Sequence, residues 1–187
     1  MTVETEVLHP GARSRTIVLI GLMGAGKTSV GRKLAAAVGL PFVDADAEIE
    51  AAAGLSVAEI FERHGEAEFR RGERLVIARL LADPPHVLSA GGGAFMDPAT
   101  RQLIIERTVS VWLRADLDLL MRRVRKKDTR PLLRNGDPRR IMAALMAERY
   151  PVYGQADIIV DSVEGPHEGV VDAIIRALNE FYAKPNP

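Results

Sequence analysis

With 187 residues, the chain is long enough to bury the core of one domain and short for two. Apolar residues make up 47% and charged residues 27%, ordinary globular usage that excludes a disordered chain. The 25 basic and 25 acidic side chains cancel, which argues against a coat for nucleic acid or anionic membrane, and the lack of cysteine excludes disulfides, thiolate catalysis, iron–sulfur clusters and cysteine-based zinc sites.

Residues 1–15, with His9-Pro10-Gly11 and no periodicity, read as a flexible leader. The first six residues carry two acids and no base, and no apolar run of the signal-peptide kind follows. No stretch reaches the roughly 18 apolar residues of a membrane span, so a soluble, cytoplasmic protein is expected. The ordered domain is expected over residues 16–187.

The pattern begins with a β-branched apolar run at 16–20 that reads as a strand buried on both faces, hence a parallel sheet. A glycine-rich turn follows, and Val30, Leu34, Ala37 and Val38 then recur at helical spacing until Gly39 and Pro41. A second strand is expected at 41–44. Helical material comes next, with a capping box at Ser56 and Glu59, and then an amphipathic stretch over 66–81. The third strand, 86–90, runs into Gly91, Gly92 and Gly93, and Asp97-Pro98 opens a helix as N-cap and first helical residue. Further strands are expected at 108–113 and 157–161, with helices at 116–127, 138–149 and 168–182. Strands alternating with helices imply a doubly wound α/β sheet.

Gly-Leu-Met-Gly-Ala-Gly-Lys-Thr at 21–28 matches the phosphate-binding loop G-x-x-x-x-G-K-[ST], and it stands between a strand and a helix start, as the chemistry requires. Its backbone N–H groups and the helix N-terminus favour phosphate oxygens; Lys27 reaches the β and γ phosphates and the Thr28 hydroxyl ligates Mg²⁺. Nucleoside triphosphate binding follows. In a chain this short, direct transfer to a small acceptor is the economical use of the γ-phosphate.

The acceptor site must come from the remaining unusual residues. Asp44 and Asp46 end the second strand, where ligands bind in open α/β sheets. One carboxylate can hold Mg²⁺ through water while the other accepts a hydrogen bond from an acceptor hydroxyl; either can also simply cap the next helix. Gly91 to Gly93 offer N–H groups at the same sheet edge, or form a plain loop. Charge is uneven: residues 41–62 hold six acids and no base, whereas 122–140 hold nine bases and two acids. Each run alone also fits a solvated helix face. His9, His64, His86 and His167 are scattered and read as surface or packing residues.

Together these residues resemble the shikimate kinase family over 16–161. The resemblance rests on the loop at 21–28, Val-Asp-Ala-Asp at 43–46, Phe61-x3-Gly65-Glu66-x2-Phe69-Arg70, Leu-Ser-Ala-Gly-Gly-Gly at 88–93, Thr-Arg-Pro-Leu-Leu at 129–133, and Arg149-x3-Tyr153. It implies a three-layer P-loop kinase fold: a five-stranded parallel sheet in the order 2-3-1-4-5 flanked by helices, an acceptor-binding region at about 45–75 and a mobile lid at about 124–136. The implied reaction moves the γ-phosphate of ATP to the 3-hydroxyl of shikimate, on the route to chorismate and aromatic amino acids.

By the same resemblance, Gly24, Ala25, Gly26, Lys27, Thr28 and Ser29 would cradle the phosphates. Thr28, and Asp44 through water, would hold Mg²⁺. Asp46 would bind the ring hydroxyls, with a further role as base. Arg70 and Arg149 would clamp the shikimate carboxylate, with Gly92 and Gly93 beside it. Arg130 would close over the phosphates and stabilise the transferring charge, and Arg123 would lie against the adenine. Phe61 and Phe69 would wall the acceptor pocket or serve as ordinary core aromatics.

Ser89 stands where many phosphate-loop proteins place an Mg²⁺-holding Asp, a feature the family shares, and residues 162–167 match no pattern that assigns them a role. A monomer without nucleic-acid or membrane partners is expected. The rivals are a kinase for another sugar-like acid such as gluconate, and a nucleotide-responsive binding protein that docks an acidic partner or RNA through residues 122–140.

Overall fold

The run Ile17–Ile20 forms strand β1, and all four of its side chains are buried because helices cover both faces of the sheet around it. The computed structural model describes residues 8–125 and 136–183. Strands β2 (Phe42–Asp44), β3 (Val87–Ser89), β4 (Val109–Arg114) and β5 (Ile158–Asp161) complete a five-stranded sheet in the order β2-β3-β1-β4-β5, the order that the resemblance implies. Every pairing is parallel, and Val18 lies opposite Leu88 on one side and Ser110 on the other. β5 is an edge strand and alternates, with Ile158 and Val160 buried and Ile159 and Asp161 exposed.

Eight α-helices are described. A short α1 (Pro10–Arg13) precedes the sheet, α2 (Lys27–Val38) follows the glycine turn, and α3 (Ala45–Ala53) and α4 (Val57–Leu80) lie between β2 and β3. Then come α5 (Pro98–Arg107), α6 (Leu117–Val124), α7 (Pro138–Tyr153) and α8 (Glu168–Ala183). The capping box is formed: Ser56 Oγ accepts from the Glu59 amide, and the Glu59 carboxylate accepts from the Ser56 amide. The two helical pieces expected over this region are joined in α4 across a kink at Gly65, whose φ of 78° and ψ of 172° are not helical. Asp97 caps α5 with Pro98 at its first position, as expected.

Three readings change. The described part of the expected leader is not a loose segment: Leu8 and Ala12 are 3% and 1% exposed, the His9 ring stacks on Tyr182, and the His9 amide donates to Asn179 Oδ1 at 2.8 Å. α1 is one turn long, too short for a periodic signal, and its partners lie at the far end of the chain. Helix α7 runs on to Tyr153, past the expected end at 149, although Pro151 lies inside it. A proline in the last turn forfeits only one hydrogen bond, and the Gly154 amide closes that turn on Tyr150 O. α6 ends at Val124, and residues 126–135, hence Arg130 and most of the expected lid, lie outside the described residues.

No helix among the described residues is long and apolar enough to cross a membrane. Because all strands are parallel, their carboxyl ends share one edge. That edge carries the glycine turn after β1, Asp44 ending β2, Ser89 and the glycines after β3, and Ser162 after β5.

Candidate active site

A cleft of about 1290 Å³ runs along that edge. One half is built around the glycine turn. Gly26 is the N-cap of α2 at a φ of 98°, a conformation that suits glycine, and no side chain caps the helix. By contrast Asp44, Ser56, Asp97, Asp116 and Asp137 cap five other helices with their own oxygens. The first amides of α2 therefore face the cleft with the partial positive charge of a helix N-terminus. Lys27 Nζ donates to the carbonyls of Gly21 at 2.8 Å and Leu22 at 3.1 Å, which holds the loop curled around it.

Arg123 and Ser162 brace this loop from outside. Arg123 Nη1 donates to Ser162 Oγ at 2.8 Å and to the carbonyls of Gly24 and Ala25, both at 3.3 Å, and its Nη2 donates to Val163 O at 2.7 Å. Ser162 Oγ in turn donates to Ala25 O at 2.9 Å. The segment that sequence reasoning left without a role is thus tied to the phosphate loop. His167 lines the same half of the cleft, where burial, then Arg123 and Lys33, keep its imidazole below the usual histidine range.

Asp44 does act as a helix cap, and its second carboxylate oxygen is turned to the phosphate loop. Its Oδ1 accepts from the Asp46 amide at 3.1 Å and caps α3, while its Oδ2 accepts from Thr28 Oγ1 at 2.9 Å. Ser89, 4% exposed, lies opposite Asp44 in the sheet register.

The other half of the cleft is ionic. Arg70 on α4 pairs with Glu73 at 2.7 Å and with Glu66 at 3.2 Å. The Glu73 carboxyl is pushed up by burial first and by Asp46 as well, against the pull of Arg70 and Arg149. The glycines are required by these side chains: a Cβ on Gly91 would stand 2.5 Å from Glu73 Oε1 and 3.3 Å from Asp46 Oδ1, and one on Gly93 would stand 2.2 Å from Arg70 Nη1. Arg149 on α7 comes within 3.3 Å of the corresponding point on Gly92. Only 7% exposed, it makes no ion pair among the described residues, and its buried Nε has no hydrogen-bond partner. Phe69 lines the cleft and Phe61 packs on it with ring centroids 4.7 Å apart.

The described site residues expected from the sequence, from Gly24 to Ser29 through Asp44, Asp46, Arg70, Gly92, Gly93, Arg123 and Arg149, therefore all meet in one cleft or its lining. Glu73, Ser162, His167 and Tyr153 were missed as site residues. For Glu73 a signal existed: it falls on the apolar stripe of Phe69, Val76, Ile77 and Leu80, where an unpaired charge is out of place.

The family model described as shikimate kinase matches residues 23–179. The chain is 57% identical over 171 residues to the shikimate kinase of Caulobacter vibrioides strain NA1000, covering 91% of this chain and 86% of that one. It is 58% identical over 171 residues to that of Paramagnetospirillum magneticum, covering 91% and 88%. Among solved structures, the shikimate kinase of Acinetobacter baumannii in complex with shikimate superposes with a TM-score of 0.89 at 33% identity, over 92% of this chain and 97% of that one.

Proposed function

We propose, since the chain belongs to the shikimate kinase family, that it transfers the γ-phosphate of ATP to the 3-hydroxyl of shikimate. One observation carries the substrate class: a buried arginine, Arg149, that has no acidic partner among the described residues and stands beside Arg70 and the glycine turn. A buried cation is costly unless an anion meets it, and a carboxylate on the acceptor supplies that anion. The planar guanidinium fork suits it.

Phosphoryl transfer asks the protein mainly to position two reactants and to neutralise charge. The β and γ phosphates lie on the amides of Gly24 to Ser29, with Lys27 leaving its loop carbonyls for phosphate oxygens. Arg70 and Arg149 hold the acceptor's carboxylate, and Gly92 and Gly93 face its ring. Asp46 orients the reacting hydroxyl and receives its proton as the oxygen bonds to the γ-phosphorus and the bond to ADP breaks. Arg123 and Ser162 hold the loop under the nucleotide. Arg130, outside the described residues, takes its role from the Thr-Arg-Pro-Leu-Leu motif, closing over the phosphates.

The residues present fit Mg²⁺. No group of three or more Asp, Glu or His side chains converges among the described residues, which suits an ion that keeps several waters and takes phosphate oxygens. The Thr28 hydroxyl and the Asp44 carboxylate, 2.9 Å apart, offer the two protein oxygens. Thr28 would hold the ion directly and Asp44 through water, and the bound ion neutralises charge on the β and γ phosphates.

The test is ADP release followed by a coupled assay, with ATP and Mg²⁺, against shikimate, quinate and gluconate. Shikimate should be preferred to both by at least about tenfold in kcat/KM. Equal or better use of gluconate would overturn the assignment.

A further inference from the structure

Tyr153 ends α7 and is fully buried, at 0% exposure. Its ring is fixed by Trp112 and Tyr150, with centroids 5.9 Å and 6.2 Å away. Its hydroxyl donates a hydrogen bond to the carbonyl of Gly92. Burial, the largest influence, pushes this phenol up to about 12, so through the neutral range it keeps its proton and stays a donor.

Arg149 stands four residues earlier on the same helix, on the same side, and its positive charge works against the upward shift of the Tyr153 phenol. The point that a Cβ on Gly92 would occupy is 3.3 Å from Arg149 Nη1, 3.4 Å from the Gly21 carbonyl and 3.8 Å from the Tyr153 hydroxyl. The phenol therefore donates to the glycine turn at the point where the guanidinium also arrives, and that turn abuts the start of the phosphate loop. With no ion pair among the described residues to fix it, the guanidinium has the phenol and the Gly92 turn as its close neighbours.

We propose that Tyr153 is a positioning residue for the acceptor, its hydroxyl setting the Arg149 guanidinium against Gly92 so that the carboxylate meets a preset fork. This rests on the shikimate reading of the cleft. An arginine fixed before the substrate arrives loses less side-chain freedom on binding, and that saving appears in acceptor affinity. The phenol's hydrogen bond goes to the acceptor-side turn and not to the phosphate loop itself, so its loss should reach ATP binding far less than acceptor binding.

The aromatic group supplies its own control. Tyr150, in contact with the same Trp112, donates its hydroxyl to the Ala115 carbonyl after β4 instead. Tyr153→Phe and Tyr150→Phe each remove one hydrogen-bonded hydroxyl from one cluster, yet only the first should reach the acceptor. In the full chain, Tyr153→Phe should raise the shikimate KM about 10- to 100-fold, change the ATP KM less than about twofold, and lower kcat less than it raises the shikimate KM. Tyr150→Phe should leave both KM values within about twofold while lowering the melting temperature comparably. Titrating the fluorescence of Trp112, the single tryptophan, with shikimate in the absence of nucleotide should show the same loss as a dissociation constant.

In an Arg149→Lys background, removing the Tyr153 hydroxyl should change the shikimate KM by less than about threefold, because the group it positions is gone. Equal shikimate KM values in the two Phe variants, or full additivity with Arg149→Lys, would overturn the positioning role. If the wild-type chain gives neither shikimate-dependent ADP release nor a fluorescence change, the substrate assignment falls and this proposal with it. If the wild type responds and Tyr153→Phe behaves like Tyr150→Phe, the positioning role alone falls.

Discussion

Adding one methyl group at Gly93 tests how tightly the acceptor half is built. Gly93 has φ −95° and ψ −14°, a backbone open to alanine, so the whole effect of Gly93→Ala is steric. The new Cβ would stand 2.2 Å, 2.3 Å and 2.4 Å from Nη1, Cζ and Nη2 of Arg70. Non-bonded carbons rest at about 3.5–4.0 Å, so the guanidinium must retreat by more than about 1 Å. Arg70 is a flexible side chain, and overpacking of this kind costs about 1–3 kcal/mol of stability. In a domain of this size each of those is worth about 2–4 °C in Tm.

Function should suffer more than folding. Displacing one charge-assisted clamp loses about 1.5–3 kcal/mol of acceptor binding, which is about 10- to 150-fold in the shikimate KM, with the ATP KM unchanged. A pH signature accompanies this. Burial already raises the Glu73 carboxyl, aided by Asp46, while Arg70 lowers it; moving Arg70 away lets it rise further. A carboxyl with its folded pKa above its unfolded value contributes stability that is complete below the unfolded value, near 4.5, and is lost as pH rises through the folded value. The stability deficit of Gly93→Ala relative to wild type should therefore widen as pH rises from about 4.5 towards 8. Steady-state kinetics for each substrate and thermal melts across that range measure both effects. An unchanged shikimate KM in a folded Gly93→Ala protein would refute the packing account of the clamp.

Two further outcomes follow from the same contacts. Arg149→Met should raise the shikimate KM at least about 100-fold while leaving Tm unchanged or higher in differential scanning calorimetry, because a buried cation without an acidic partner among the described residues is removed; a lowered Tm would count against that. Ser162→Ala deletes the bonds to Ala25 O and from Arg123, at 2.9 Å and 2.8 Å, and should raise the ATP KM about 5- to 30-fold with the shikimate KM unmoved; parallel changes in both would place Ser162 outside the nucleotide half.

The sheet was legible because its central strands are short β-branched runs buried on both faces, and the phosphate loop because its residues are dictated atom by atom. Asp44 illustrates a limit of such reading. Helix cap and loop-facing carboxylate are alternatives on paper, yet one oxygen caps α3 while the other accepts from Thr28 Oγ1. The bracing of the loop was invisible because Arg123 and Ser162 are 39 residues apart and neither belongs to a repeating pattern. The docking of α1 was invisible for a similar reason, since four residues carry no period and their partner, α8, closes the chain. Glu73 is the instructive case: its neighbours Arg70, Arg71 and Arg74 make a charged helix look solvated, whereas the 3.6-residue period sets Glu73 on the buried side with Phe69 and Val76.

In the proposed reaction the acceptor's carboxylate, held by Arg70 and Arg149, sets one particular hydroxyl against the γ-phosphate with Asp46 beside it. ³¹P NMR of a reaction containing ATP, Mg²⁺, shikimate and the full chain tests this most directly. The expected result is a single new phosphomonoester whose phosphorus couples to the proton on C3 of shikimate, formed one for one with ADP. ADP with inorganic phosphate and no ester, or an ester on C4 or C5, would contradict it.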